Sequence, residues 1–470
     1  MQPKVTRAGD RGLLADFGTE VAAAELHARA AALRTRENVV ACIVGQQSLY
    51  VVCDGEPSID FDDMPPSAFA PRTHVIDVDF SGPDLDEFFA HALITREAFL
   101  RTVPSLRLTA RYLGFRAGFA YLEGWPGEWR MPRRTRSRNL VPRGSFAIAG
   151  VMAGFYPIDS PGGWNLLGRT NAMLWNPDAE PPNRFAPGDV IEICPTSIAQ
   201  FDAQPASHYE STGDVIAEVI TPGQLTTIVG ARDWKRAEYG VSPGGPFDAF
   251  AAALANRAVG NADDAPLLEC VLVAPRLRFA IARRVAFCDG SENVQTFMLL
   301  SGEELNLGRF HGGLRGYLAI EGGIDEMRSR YAEAPTMVKA GMSLRTASDI
   351  RASRQAKPNE RTDRNTIRII AGPHDAPPLP EEWEVTAELN RVGIRFRSVS
   401  GGVAEPPREL PSCGMQFGTL QWHPDGTLVA MGPDHPVTGG YLQPATVVSE
   451  DLWKLAQLSP GERVQFTALR

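Results

Sequence analysis

The sequence predicts a mainly β protein with a small α/β unit at its N-terminus, and three observations carry that prediction. First, Tyr112 to Thr170 packs glycine, proline, arginine and aromatics together. Short apolar pieces there (Phe119–Leu122 and Phe146–Ala149) lie between turn signals, as in short strands that fold back on one another. Second, helical spacing is confined to a few segments: Val21–Thr35, Asp84–Val103 and Pro246–Val259. Third, a turn-and-strand ending recurs, as PGDVIEI at Pro187–Ile193 and PGERVQF at Pro460–Phe466. Upstream of each stands a proline, then a glycine pair before an aromatic, in PIDSPGGW and PVTGGY. Two landmarks in one order point to a repeated β unit.

Taken in order, VTRAGDRGLLADFG reads as strand, turn and strand, and the alanine-rich Val21–Thr35 as a helix. NVVACIVGQQSLYVVCD supplies two β-branched runs around a turn at Gly45–Ser48. The prolines of Met64–Arg72 mark a boundary loop. Leu85, Phe88, Phe89, Ala92, Leu93, Phe99 and Leu100 then fall at helical spacing. From Arg107 to Ile193 strands dominate. PTSIAQFDAQPASHYESTG loses all periodicity and reads as a linker. Val215–Leu225 restarts as strand, turn and strand. PFDAFAAALANRAV is a helix with a proline and an acid near its start, stopped by Gly260-Asn261. Strands are expected at Leu277–Phe287, Leu314–Ile320 and Ile367–Ile370, with a charged, proline-bearing connection over Arg351–Asn365. The expected units are 1–90 (α/β), 91–195 (β), 196–214 (linker), 215–355 (β) and 356–470 (β).

A chain of 470 residues exceeds one hydrophobic core. With 43% hydrophobic and 22% charged residues it has the composition of a soluble globular protein. The formal charge of -9 opposes a sequence-independent nucleic-acid binder, because the phosphate backbone repels such a surface. No apolar run approaches the roughly 20 residues of a membrane span. The N-terminus lacks the apolar core of a secretory signal. The six cysteines show no CxxC pair or framework spacing, so reduced thiols and a cytoplasmic location are expected.

No phosphate-loop, dinucleotide, HExxH or GxSxG pattern is present, and the eight histidines are dispersed without metal spacing. Ser145 sits beside a glycine but not in a nucleophile elbow. What stands out is glycine beside arginine. The pairs in SPGGW and TGGY would present backbone N–H groups to an oxyanion or carboxylate, or else make strand connections that only glycine fits. Arg130, Arg133, Arg134 and Arg136 would attract an anion or solvate a loop. Asp434 and His435 could act as an acid/base pair, or as a cap and a surface histidine. Trp125, Trp164 and Tyr441 read as wall or core.

The longer motifs carry a resemblance. GFRAGFAYLEG, the PRR…VPRGSFAIAG stretch and YPIDSPGGWNLLGRT resemble the B-type subunit of 5-oxoprolinase, also described as allophanate hydrolase subunit 1 or the Kip-inhibitor family. GVSPGGPFDAFAAALANRAVGNADDAPLLE, GLRGYLAIEGGID, NRVGIRF, GTLQWHPDG and DHPVTGGY resemble the C-type subunit, the biotin-dependent carboxyltransferase or allophanate hydrolase subunit 2 family. The resemblance covers nearly the whole chain, B-type half first and C-type half second. It implies about three cyclophilin-like β-barrel domains in tandem and ATP-dependent opening of 5-oxoproline to glutamate. A separate A-type subunit would handle ATP, and no cofactor would be held covalently here.

The resemblance also implies candidate site residues. Those for catalysis are Asp434, His435 and Thr438. Those for a small amide or lactam are Phe115, Gly118, Tyr121, Arg133, Arg134, Ser160, Gly162, Gly163, Trp164, Gly245, Asp248, Arg391, Gly439, Gly440 and Tyr441. Carboxyl transfer with biotin carried on another protein is the alternative, as is a non-catalytic kinase-regulating binder. A homo-oligomer is compatible with either. The family's QDxGRxG is replaced here by TTIVGARDWKRAEYG, and its serine- and glycine-rich stretch after GGID by EMRSRYAEAPTMVKAG.

Overall fold

The structure is a computed structural model that describes residues 2–61, 70–202, 209–347, 361, 363–401 and 410–469. The first unit is an antiparallel sheet in the order Lys4–Arg7, Gly12–Asp16, Ser48–Cys53, Val39–Val44. The helix Ala23–Arg34 lies against it. Alanines keep that helix slim, so Leu26, Ala30 and Leu33 reach the sheet core beside Leu13, Val44 and Val51.

The second unit is a seven-stranded sheet ordered Asn165–Arg169, Ser145–Ala149, Met152–Phe155, Ala120–Glu123, Leu108–Leu113, Val190–Pro195, Thr73–Val78. Its two edges meet at one bridge, where Asp79 and Arg169 exchange N–H···O bonds of 2.9 Å each, rolling the sheet into a nearly closed barrel. This corrects the expected boundary at residue 90. Thr73–Val78 pairs in parallel with Val190–Pro195, so the barrel begins at Thr73. A parallel partner more than a hundred residues away leaves no local signal.

The single helix expected over Asp84–Val103 is two, Leu85–Ala92 and Arg96–Thr102. Leu93 takes φ +53° between them, and Thr95 caps the second by accepting from the Ala98 N–H at 3.2 Å. Phe88 and Phe99 plug the barrel against Phe80, Trp125 and Trp129, ring edges against faces.

The third unit holds a four-stranded and a six-stranded sheet over one core containing Ile216, Leu268, Leu277, Phe287 and Leu318. The run expected as one strand over Leu277–Phe287 divides into Arg276–Phe279 and Arg283–Cys288, one in each sheet. The helix Ala249–Ala258 packs its alanines on the six-stranded sheet. Its N-cap is Asp248, which accepts from the Ala251 N–H at 3.0 Å.

The fourth unit is a closed barrel ordered Thr366–Ala371, Leu442–Val447, Thr419–Trp422, Leu428–Met431, Gly393–Ser398, Trp383–Leu389, Arg463–Ala468. Counted around from its first strand, this barrel has the strand order of the second unit. In both, the first strand runs parallel to the last. The repeated PG-acid turn has a repeated use. Asp189 accepts from the Ala186 N–H at 3.0 Å and Glu462 from the Ser459 N–H at 3.2 Å, so each acid ties its own turn three residues back. The same acids hold the chain entering the first strand, through Arg72 and Arg364. The boundary expected at 355/356 lies outside the described residues, as does the middle of the 196–214 linker. No helix among the described residues is long and apolar enough to cross a membrane.

Candidate functional site

The loop Gly114–Gly118 joins the barrel strands Leu108–Leu113 and Ala120–Glu123, and the C-terminal half closes on it from two sides. Gly114 (φ +155°), Phe115 (φ +66°) and Gly118 (φ +72°) bend it sharply. Phe115 is a bulky residue in left-handed backbone, a conformation that persists only where the surroundings impose it. On one side a Cβ added to Gly114 would lie 1.7 Å from Thr438 Oγ1. On the other, the Gly118 N–H donates to the Tyr239 carbonyl at 3.3 Å, and Gly240 packs on Gly114. Arg116 pairs with Glu333 at 3.2 Å, and Glu333 also accepts from the Ala117 N–H at 3.3 Å.

Thr438 and Gly439 form a two-stranded ribbon with Cys413–Gly414. Thr438 is buried, and its hydroxyl has no hydrogen-bond partner among the described residues. Behind the same turn, Gln421 is buried with its side-chain Nε2 equally unpartnered. A Cβ on Gly439 would stand 2.5 Å from that nitrogen, so glycine here leaves the amide facing the turn. A buried polar group left unmade costs about 1–3 kcal/mol, and here two such groups stand at one turn. Gln421 lies in GTLQWHPDG, within a strand, and sequence spacing gave no reason to single it out.

The opposite wall is aromatic. Tyr112 and Tyr121 stack at 4.3 Å with 13° between their planes. Tyr121 meets Trp164 at 5.6 Å, and Phe115 meets Tyr156 at 6.2 Å. Burial pushes Tyr156 up to about 12, opposed by the Trp164 backbone and the positive charge of Arg133. Burial likewise raises Tyr121, with Arg133 lowering it and Tyr156 and Tyr441 raising it further. Arg133, Tyr121 and Tyr441 thus feel one another across the two halves. Tyr441 also lies against His423, with centroids 4.3 Å apart.

Of the sequence candidates, Phe115, Tyr121, Arg133, Trp164, Thr438, Gly439 and Tyr441 are gathered at this junction. Gly162 faces the Tyr156 hydroxyl, and Gly163 faces Ser137 while its carbonyl accepts from the Arg134 N–H at 2.9 Å. Ser160 is buried with its hydroxyl unpartnered among the described residues. Gly118 packs on the Trp175 ring, and Gly440 on Leu410. Both make close chain crossings.

Other candidates are committed elsewhere. Arg134 bonds Asp84 at 2.9 Å, and Asp84 also takes Arg138 and the Leu166 N–H, so this arginine clamps the barrel. Asp248 caps its helix and pairs with Arg361 at 2.8 Å, with no exposed surface. Arg391 is the hub of a buried network. Its Nε and Nη2 grip Asp434 at 2.7 and 2.9 Å, Nη1 meets Glu269 at 2.7 Å, and Nη2 also reaches the Gly245 carbonyl at 2.8 Å. Gly245, Arg391 and Asp434 therefore tie the third unit to the fourth.

His435, next in sequence to Asp434, points away from it. Its Nδ1 lies 2.8 Å from the Gly432 carbonyl and its Nε2 3.3 Å from that of Met415. The neighbours do not form the acid/base pair that their adjacency suggested. Burial lowers His435 to about 4. Since the folded value lies below the usual 6.5, the unfolded chain takes the proton first as pH falls. Stability is complete above about pH 6.5 and lost on descending toward pH 4, by about 3 kcal/mol for this group. His27, lowered to about 4 mainly by burial, adds a loss of the same sign. The pH dependence of stability, read from denaturant melts across this range, should be steep in the wild type and flatter for His435→Asn. An equal slope in both would remove His435 from the account.

Volume alone does not locate this junction. A groove of about 690 Å³ lies on the C-terminal barrel among Glu388, Arg395, Arg397 and Asp425 and contains none of the candidates. Among the described residues no group of three or more His, Cys, Asp or Glu is gathered for a metal ion.

Two like barrels flanking a further β unit, joined at glycine bends, are the architecture of the carboxyltransferase-domain class. Residues 3–185 match the family described as carboxyltransferase domain, subdomain C and D, and residues 239–468 match carboxyltransferase domain, subdomain A and B. Over 34% of its length the chain is 32% identical to the B-type subunit of 5-oxoprolinase from Escherichia coli O157:H7, covering 78% of that protein. Over 53% it is 28% identical to the C-type subunit of the same enzyme from Escherichia coli strain K12, covering 90% of it. The crystal structure of TTHA0988 superposes with a TM-score of 0.82 at 28% identity, over 97% of this chain and 99% of that one. The chain belongs to the carboxyltransferase-domain family that includes the B-type and C-type subunits of 5-oxoprolinase, with the B-like half preceding the C-like half in one polypeptide.

Proposed function

We propose that this chain is the B–C component of an ATP-dependent amidohydrolase that opens a small lactam, 5-oxoproline to glutamate, with a separate A-type subunit that handles ATP. The observation that supports it is the pair of unpaired groups at the TGG turn. Thr438 Oγ1 and the Gln421 amide nitrogen can donate to an amide carbonyl oxygen and stabilise the negative charge that grows there as water adds. The new C–O bond comes from water, the ring C–N bond breaks, and the nitrogen leaves with a proton. Tyr121, Trp164 and Phe115 would wall the ring, with Arg133 attracting its carboxylate.

The test is glutamate release from 5-oxoproline by the full chain with its A-type partner and ATP. Thr438→Val should lower kcat by about 100-fold, as losing one oxyanion donor does. It should leave the melting temperature unchanged or raised, because the hydroxyl makes no bond among the described residues. No release by the wild type would end this reading. Full activity in Thr438→Val would remove Thr438 from it. The description of the matched family favours a second reading, carboxyl transfer, in which biotin arrives on another protein. Transfer to an amide from a carboxybiotin carrier, with no lactam opened, would select it.

A further inference from the structure

The segment TTIVGARDWKRAEYG, where the chain departs from its family's pattern, brings two guanidinium groups to one turn. Both Gly244 and Gly245 take positive φ in the Ser242-Pro-Gly-Gly turn. Arg236 is 3% exposed, yet it has no carboxylate in contact among the described residues. Its Nη2 donates to the Ala332 carbonyl, and its Nε is buried without a partner among those residues. Arg236 Nη1 is the nearest neighbour of the space over Gly244. A Cβ placed there would meet that nitrogen at 3.5 Å and nothing else within 4 Å.

Arg232 donates from Nε to the Gly244 carbonyl at 3.0 Å and from Nη2 to the Pro246 carbonyl at 3.1 Å. Its remaining face lies over the Phe417 ring at 4.5 Å. The Gly245 N–H donates to no described group. The nearby Asp434 is already gripped by Arg391 through two bonds. Burial, with Arg328 close by, lowers Arg236 to about 10 against the opposing pull of Asp233, Glu326 and Asp434, and burial with Arg391 and Arg11 does the same for Arg232 against Asp434 and Glu269.

A buried charge that no carboxylate touches is unfavourable, and a cradle of donors with no acceptor in it is incomplete. The planar guanidinium fork and a turn N–H are complementary to oxyanions. We propose that the space over Gly244 is an oxyanion site, where Arg236 and the Gly245 N–H hold a small carboxylate or phosphate with Arg232 alongside. The inference goes beyond the reaction proposed above and stands whether or not a lactam is the substrate.

Thermal melts of the full chain in chloride buffer, then with acetate or inorganic phosphate at matched ionic strength, test it. At least one anion should raise the melting temperature saturably. A rise with acetate alone assigns a carboxylate ligand, with phosphate alone a phosphate, and with both their shared chemistry. Arg236→Met should abolish the rise, whatever the loss of its bond to the Ala332 carbonyl does to the melt in chloride. Arg236→Lys keeps the charge but loses the fork, and should weaken the apparent affinity at least tenfold; it also decides the matter if the methionine variant does not fold. Arg101→Met, on an exposed helix face, should respond as the wild type does. No saturable rise with either anion, or a rise that survives both Arg236 variants, overturns the site.

Discussion

Arg391→Ala should loosen the C-terminal half at its middle, lowering the stability of that half by about 3–5 kcal/mol. The substitution removes the cation that meets Asp434 at 2.7 Å and Glu269 at 2.7 Å, leaving two carboxylates where little water reaches. Arg315 cannot replace it, since it stands 3.7 Å from Glu269 and is held by the Ala456 carbonyl. Denaturant unfolding followed by limited proteolysis between the third and fourth units reads the effect. Removing the stranded charge as well, in Arg391→Ala/Asp434→Asn, should recover part of the loss. A single variant that melts within about 0.5 kcal/mol of the wild type would show that the network holds nothing together.

Gly114→Ala should cost about 2–4 kcal/mol and abolish activity, because the loop and Thr438 cannot both stay where they are. The added methyl would fall 1.7 Å from Thr438 Oγ1 and 2.9 Å from its Cβ, at a φ of +155°. The far side of the loop offers no retreat, being closed by Gly240 and the Tyr239 carbonyl. Thr438→Gly in the same chain should restore stability though not activity, which separates the steric effect from the chemical one. Gly127→Ala, which meets nothing within 4 Å, should behave as the wild type. If Gly114→Ala melts normally, the two halves are not pressed together at this loop.

Much of the fold was legible because its signals are local. The alanine run of the first helix, the proline and aspartate before Ala249–Ala258, and the paired PG-acid turns each state their purpose within a few residues. The recurrence of those turns pointed to a repeated β unit, which the structure shows as two barrels of one strand order. The boundary at Thr73 was not legible, because its evidence is a parallel partner far along the chain. Nor was the break at Leu93, where nothing in Ala92-Leu93-Ile94 demands left-handed backbone.

The site divides the same way. Glycine-rich bends announced that backbones approach one another, and Thr438 stands where they do. Arg134, Asp248, Arg391 and Asp434 looked like ligand-binding groups because charge is visible in a sequence and its partner is not. Each proved to have a carboxylate or guanidinium waiting in another segment. Gln421 and Arg236 give no such signal for the opposite reason: each holds a buried nitrogen without a partner among the described residues.

By itself the sequence determined the strand-and-turn grammar, the repeated β unit and the family. The first two follow from residue spacing, which acts over one turn of helix or one pair of strands, and the family from the resemblance of its longer motifs. Only the tertiary structure decided which polar groups are satisfied and which are left open. That depends on burial and on partners hundreds of residues away, where low dielectric makes a missing hydrogen bond or counter-charge matter.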